Sequence, residues 1–245
     1  MGAGYRFKAK ATEQAAEVQI YEDVGAGWFG GITAKDFSAD LKAAGKVKTI
    51  DVRIASYGGD VNDGLAIYRM LAEHDARVVV HIDGVAASIA SVIAMAGDEI
   101  VIAEAGSVMI HEGWTIAAGH AADLRAVADN LEKTSAQMAD IYAKRIGQPV
   151  QQVKDWMAAT TWFYGQEAVD AGFAESVAEN VKAAASASMW LSAMHSRIAT
   201  HINAQRLDAQ HQGKPHPAND DVRSSLASIT ERLKLKRSQQ IRSAR

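Results

Sequence analysis

The chain has 245 residues, 48 % of them hydrophobic, a formal net charge of −3 and no cysteine. That length and apolar share suffice for one well-buried core with an appendage, and the missing cysteines exclude disulfides, thiolate metal ligands and a cysteine nucleophile. No run of about 18 uncharged apolar residues occurs, and the opening MGAGYRFKAKATEQAAE has no apolar signal stretch, so a cytoplasmic protein away from any membrane is expected.

Val18 to Tyr21 reads as a short strand, and Gly25, Gly27, Gly30 and Gly31 break the chain before Thr33 caps a helix over Ala34 to Ala44. Thr49 to Ala55 alternates apolar and polar residues, as a strand with one buried face does. The turn Tyr57-Gly58-Gly59-Asp60 leads into an apolar-periodic helix carrying Leu65, Tyr68, Met70 and Leu71. Arg77 to Asp83 is β-branched and strand-like, Gly84 ends it, and Ala86 to Ala96 is a small-residue helix. Glu99 to Ala103 and Ser107 to His111 follow as strands. Helices over Asp123 to Arg145, Gln151 to Met157 and Glu167 to Ala171 complete the domain. This alternation predicts an α/β domain around a mainly parallel inner sheet.

From about Lys182 the composition shifts to Ala, Ser, Gln, His and Arg, which sets the end of the folded domain there. Trp190, Met194, Ile198 and Ile202 recur at helical spacing within Met189 to Leu207, and QHQGKPHPANDD reads as a linker. Beyond Val222 the tail carries seven Lys or Arg against the single acid Glu231. That bias suits an acidic partner, nucleic acid included, and more readily a solvated or partly disordered tail.

In a parallel sheet the turns after the strands gather at one edge, where ligand crevices form. Gly84-Val85-Ala86-Ala87-Ser88 passes from strand to helix, and a serine there has helix N-terminal N–H groups beside it that favour a developing negative charge. His111 ends the apolar run Val108-Met109-Ile110. A serine hydroxyl is a poor nucleophile until a neighbouring base takes its proton, so Ser88 and His111 on adjacent strand ends are the candidate nucleophile and general base. Gly58-Gly59 supplies backbone able to approach a carbonyl closely, and Gly59 and Ile89 are the candidate oxyanion donors. Each motif alone has an ordinary use, as a helix cap, a strand-end histidine or a tight turn; the three in register point to catalysis. Ser91, one turn after Ser88, is expected to pack in a close helix interface.

Together, Ile54-Ala55-Ser56-Tyr57-Gly58-Gly59, Gly84 to Ser88 and Met109-Ile110-His111 resemble the N-S-P-G-G turn, G-x-A-A-S elbow and M-I-H strand of the ClpP-like serine peptidases, in order and spacing. The likeness runs from about Val18 to Val177. Trp28 to Phe37 (WFGGITAKDF), Asp63 to Tyr68 and Ala90 to Ile100 are most similar to the phage and prophage branch, whose members are head maturation proteases. The resemblance implies a spiral of ββα units, shared with the crotonases, over residues 1–181, with the tail over 182–245 appended. It implies an ATP-independent endopeptidase, or a core able to cooperate with a partner, assembled into homo-oligomeric rings and needing no cofactor or metal. Capsid or scaffold proteins are the implied substrates, in the host cytoplasm or the procapsid. By the same likeness Asp123 to Arg145 is the handle through which rings stack. Gly58, Asp60 and Val61, with a strand after His111, would pair with an extended substrate by β-addition.

The sequence also departs from the family pattern. The triad acid should stand shortly before the F-x-S-x-x-E-A segment, here Trp162 to Ala168, and Thr160 fills that position. In serine proteases, replacing the acid by a neutral amide costs roughly 10⁴ in rate. Thr160 is the first choice for the third member by position, Asp155 the second, with Glu167 and Glu112 behind. Tyr57 replaces the usual proline and Ala55 the asparagine of the oxyanion turn. Two other readings share these motifs. The absent acid and the Ala-rich, basic tail suit an assembly protein whose protease is weakened or lost. An acyl-CoA enzyme of the crotonase type would use the same fold and paired N–H groups without Ser88 and His111 in register.

Overall fold

The computed structural model describes residues 5–10, 14–26 and 31–178, all within the first of two units of the chain, Met1–Ala183. The expected tail over 182–245, with its helix in Met189 to Leu207, its linker and its basic end, lies outside the described residues, as do Trp28 to Gly30. The described elements run β1 (Tyr5–Lys10), β2 (Ala15–Ile20), α1 (Ala34–Ala44), β3 (Thr49–Ser56), α2 (Val61–Ala72), β4 (Arg77–Ala87), α3 (Ile89–Ala94), β5 (Glu99–Ile102), β6 (Ser107–Ile110), α4 (Ala121–Ile146), α5 (Val150–Ala158), β7 (Thr161–Tyr164), α6 (Gln166–Asp170) and β8 (Ser176–Val177). No helix among them is long and apolar enough to cross a membrane.

The strands form one sheet in the order β1-β2-β3-β4-β5-β8, with β6 on β4 and β7 on β6. β2, β3, β4, β5 and β8 pair in parallel, while β1 and β7 join antiparallel. This is the mainly parallel α/β architecture that the alternating elements predict. The period of two along β2, β3 and β4 buries Val18, Ile20, Ile50, Val52, Ile54, Val78, Val80 and Ile82 under the helices. On the opposite face Arg53 donates to Asp83 and to Tyr21, whose hydroxyl also donates to Asp83. Burial and that carboxylate push the Tyr21 phenol up to about 12.

β4 is the element that positions the site. Its first half pairs with β5, from Val79↔Glu99 to Ile82↔Ile102; its second half pairs with β6, from Val85↔Ser107 to Ala87↔Met109. Between these halves its register against β3 shifts, Ile54↔Ile82 giving way to Ser56↔Ala86. Such a bulge bends a strand and re-aims the residues beyond it. Gly84 therefore does not end the strand, and Ala86 and Ala87 lie in β4, not in the helix the small residues predict. The strand runs on because β6 offers it a second partner, and α3 begins only at Ile89. All six α3 residues are buried, so this short helix is held by packing on every side.

α4 is the long helix expected over Asp123 to Arg145. It buries only Met138, Ala139 and Tyr142, toward its C-terminal end, and closes on Gly147 at φ 69. Its exposed Leu124, with Trp114 and Ile116 of the preceding segment, leaves large apolar side chains in solvent. Tyr142, Trp156, Phe163 and Phe173 meet in one aromatic cluster, with Phe163 and Phe173 ring centroids 4.8 Å apart.

Candidate active site

Ser88 is the single residue between β4 and α3, and it sits at φ 55, ψ −132. Positive φ is costly for a residue with a Cβ and persists only where the surroundings over-determine it. Here its N–H donates to Met109 O at 2.9 Å. The Oγ projects onto His111, with Nε2 2.7 Å away. His111 stands one residue beyond β6, half-buried, and burial lowers its pKa below the ordinary 6.5, favouring the neutral imidazole. The structure thus brings together the two residues singled out as nucleophile and base. For Nε2 to accept the serine proton, the ring proton must sit on Nδ1.

The glycine turn lies directly against Ser88. Gly58 and Gly59 hold φ 99 and φ 144, and a Cβ on Gly58 would fall 2.8 Å from Ser88 Cβ and 3.1 Å from Ile89 N. Only glycine permits both that backbone and that approach. The turn is fixed by Ser56 Oγ, which accepts from Gly58 N at 3.1 Å, and by Val24, whose N–H donates to Gly58 O and whose carbonyl accepts from Asp60 N, both at 2.8 Å. Ile89 is the first residue of α3, where N–H groups have no partner within the helix. Gly58 and Ile89 therefore border the corner beside Ser88, with Gly59 following against Val24.

The expected substrate edge is placed differently. Asp60 caps α2, its carboxylate accepting from Asp63 N at 2.9 Å, its N–H bound to Val24 and its carbonyl accepting from Gly64 N at 3.0 Å. Its backbone is thus already committed, and Val61 is the first residue of a helix. Residues 111–120 form no strand either. They lie over α4, where Gly113 N donates to Ser135 Oγ at 2.9 Å.

Of the candidates for a third member, Thr160 lies nearest His111 along the β6–β7 pair. The antiparallel ladder runs from Ser107↔Tyr164 to Ile110↔Thr161, so His111 and Thr160 each stand one residue beyond its end. Thr160 is exposed and holds φ 52. Asp155 is engaged along α5, accepting from Gln151 Nε2 at 2.9 Å. Glu167 accepts from Tyr164 N at 3.1 Å at the start of α6, and Glu112 is exposed. Among the described residues, no carboxylate hydrogen-bonds His111.

Two residues of the site carry no motif. Ser91 does pack at a helix interface, yet its Oγ also donates to Ser88 O at 2.6 Å and lies 2.7 Å from Tyr142 OH. Tyr142 is fully buried, and desolvation raises its pKa so far that the phenol stays protonated. The one signal for it was the apolar stripe it shares with Met138 on α4. β7 (Thr161–Tyr164), unrecognised in the sequence, brings Trp162 and Tyr164 to the surface as a stacked pair with centroids 6.2 Å apart.

A serine on a strained strand-to-helix elbow, a histidine on the neighbouring strand end and a glycine turn against both define a hydrolase of the serine-protease kind on an α/β fold. The sequence matches the Clp protease family over residues 16–212. It is 31 % identical over 144 residues to the ATP-dependent Clp protease proteolytic subunit of Ligilactobacillus salivarius (strain UCC118), covering 58 % of this chain and 73 % of that one. Subunit 3 of Rhodococcus jostii (strain RHA1) is 33 % identical over 140 residues, with 56 % and 69 % covered. Subunit 1 of Corynebacterium jeikeium (strain K411) is 29 % identical over 145 residues, with 58 % and 77 % covered. The chain belongs to the Clp protease family.

Proposed function

We propose that the chain is a serine endopeptidase in which Ser88 is the nucleophile and His111 the general base. The observation that carries this reading is the 2.7 Å contact between Ser88 Oγ and His111 Nε2 at an elbow whose backbone is held at positive φ. His111 takes the hydroxyl proton as Ser88 Oγ bonds to the peptide carbonyl carbon, and the carbonyl electrons move onto oxygen. Gly59 and Ile89 N–H groups receive that oxyanion. On collapse the C–N bond breaks and the imidazolium returns its proton to the departing amine. A water deprotonated by His111 then releases the acyl group and restores Ser88. Thr160 orients the imidazole through its hydroxyl, a weaker acceptor than a carboxylate.

The Ligilactobacillus, Rhodococcus and Corynebacterium relatives are proteolytic subunits of an ATP-dependent protease. The likeness of Asp63 to Tyr68 and Ala90 to Ile100 to the phage branch supports a different setting, ATP-independent cleavage of capsid or scaffold protein during head maturation. Ring assembly is supported by the exposed Trp114, Ile116 and Leu124 beside and on α4, apolar surface of the kind that oligomers cover.

The test is labelling of the purified protein with a fluorophosphonate, followed by cleavage of a co-expressed capsid protein without added ATP. Labelling lost in Ser88→Ala, and cleavage lost with it, is the expected result. Absence of labelling in the wild type would leave the rival reading, an assembly protein without protease activity, which the neutral Thr160 at the acid position favours.

A further inference from the structure

The strained conformation of Ser88 needs something to hold it; its carbonyl accepts the backbone bond from Ser91 N at 3.0 Å and is also joined to a buried chain of hydroxyls behind the site. Ser91 Oγ donates to Ser88 O at 2.6 Å and lies 3.1 Å from Met109 O. Tyr142 OH lies 2.7 Å from Ser91 Oγ and 3.4 Å from Ser88 O. Each hydroxyl has one proton, and the chain is satisfied when Tyr142 donates to Ser91 and Ser91 donates to the Ser88 carbonyl. Both side chains are buried, with the Tyr142 ring edge-on to Phe173 at 5.9 Å. Packing alone does not require two hydroxyls here, since buried hydroxyls are costly unless paired.

The consequence comes from the peptide bond. The Ser88 carbonyl and the Ile89 N–H belong to one planar trans unit and point in opposite directions. Fixing the carbonyl toward Ser91 and Tyr142 fixes the N–H away from them, toward the Gly58 side of the turn. We propose that Ser91 and Tyr142 are positioning residues that clamp the Ser88 carbonyl and thereby aim the Ile89 N–H at the developing oxyanion. This rests on the serine-peptidase reading and adds to it a second set of residues, remote from substrate.

The decisive variant is Ser91→Ala/Tyr142→Phe in the full chain, because removing both hydroxyls leaves no orphaned polar side chain and keeps the fold. Expected is a melting temperature close to wild type and an unchanged KM for a fluorogenic peptide. The kcat falls roughly 10- to 100-fold, somewhat less than deletion of an oxyanion donor costs. Affinity for a peptide boronate, whose tetrahedral adduct uses the same donor, falls by the same factor. The acid limb of the pH profile stays in place, since His111 is untouched. Tyr142→Phe alone, which leaves Ser91 on the carbonyl, loses less than the double variant. A double variant that turns over and binds boronate like wild type overturns the proposal, and so does a loss of kcat accompanied by equal losses in melting temperature and KM. If wild-type Ser88 does not react with a fluorophosphonate at all, the serine-peptidase reading itself falls; a reactive wild type with an indifferent double variant removes only the clamp.

Discussion

Thr160 and His111 each stand one residue beyond the end of the β6–β7 ladder, whose last pair is Ile110↔Thr161. We propose that Thr160 orients the imidazole from there, a hydroxyl where a carboxylate would be stronger. Thr160 holds φ 52, a conformation that β-branched residues strongly disfavour and aspartate tolerates.

Thr160→Asp is accordingly expected to raise kcat/KM on a peptide substrate by about 10- to 100-fold, a fraction of what a triad acid contributes. Thr160→Ala should lower it by a few-fold only, because water can still accept from Nδ1–H. An unchanged rate in Thr160→Asp would place the orienting partner of His111 elsewhere.

The pH dependence is set by burial. Desolvation of the half-buried His111 lowers its pKa below 6.5, so the imidazole stays neutral and able to accept a proton into more acidic solution. The acid limb of kcat/KM should have its midpoint below 6.5 and reach its plateau by about pH 7. In Thr160→Asp the new carboxylate favours the imidazolium, and the limb should move to higher pH. A limb that stays put in that variant would show that residue 160 does not reach the ring.

Ser88, His111 and Gly58-Gly59 could be singled out as candidates because each sits at or just beyond the end of a strand, where apolar patterning stops. The fold class was legible for the same reason. What escaped depended on contacts distant in sequence. Ala86 and Ala87 are helix formers by propensity, and only pairing with β6 holds them extended. Tyr142 stands 51 residues from Ser91, and nothing local distinguishes a buried tyrosine on an amphipathic helix from a core aromatic. Asp60 was expected at a substrate edge only by likeness to the family, while its carboxylate serves as the cap of α2.

Strain at Ser88 is testable by comparing two substitutions that both delete the hydroxyl. Ser88→Ala keeps a Cβ at φ 55, whereas glycine adopts that backbone freely. The strain is worth about 1–3 kcal/mol, and the greater freedom of unfolded glycine offsets about 0.5–1 kcal/mol of its relief. Ser88→Gly should therefore be the more stable of the pair by about 1 kcal/mol, read as a shift in urea midpoint at constant slope. Ser88→Ala being the more stable by about 0.5–1 kcal/mol, the cost of unfolded glycine's freedom alone, would mean that the elbow holds no strain.

Gly64 provides the last test, because local and tertiary effects oppose each other there. It lies inside α2, where alanine is favoured over glycine by about 1 kcal/mol in a free helix. Yet a Cβ at Gly64 would fall 2.1 Å from Ile89 Cγ1 and 3.2 Å from its Cβ and Cδ1. Overpacking of this kind costs about 1–3 kcal/mol, so Gly64→Ala should destabilise, and by displacing Ile89 it should lower kcat more than KM changes. Ile89→Ala removes the Cγ1 that the new methyl strikes and itself costs about 2–5 kcal/mol. In that background Gly64→Ala should cost nothing, or stabilise by its helix preference, a non-additivity expected only of residues in direct contact. Additive losses would mean that α2 does not press on the residue whose N–H borders Ser88.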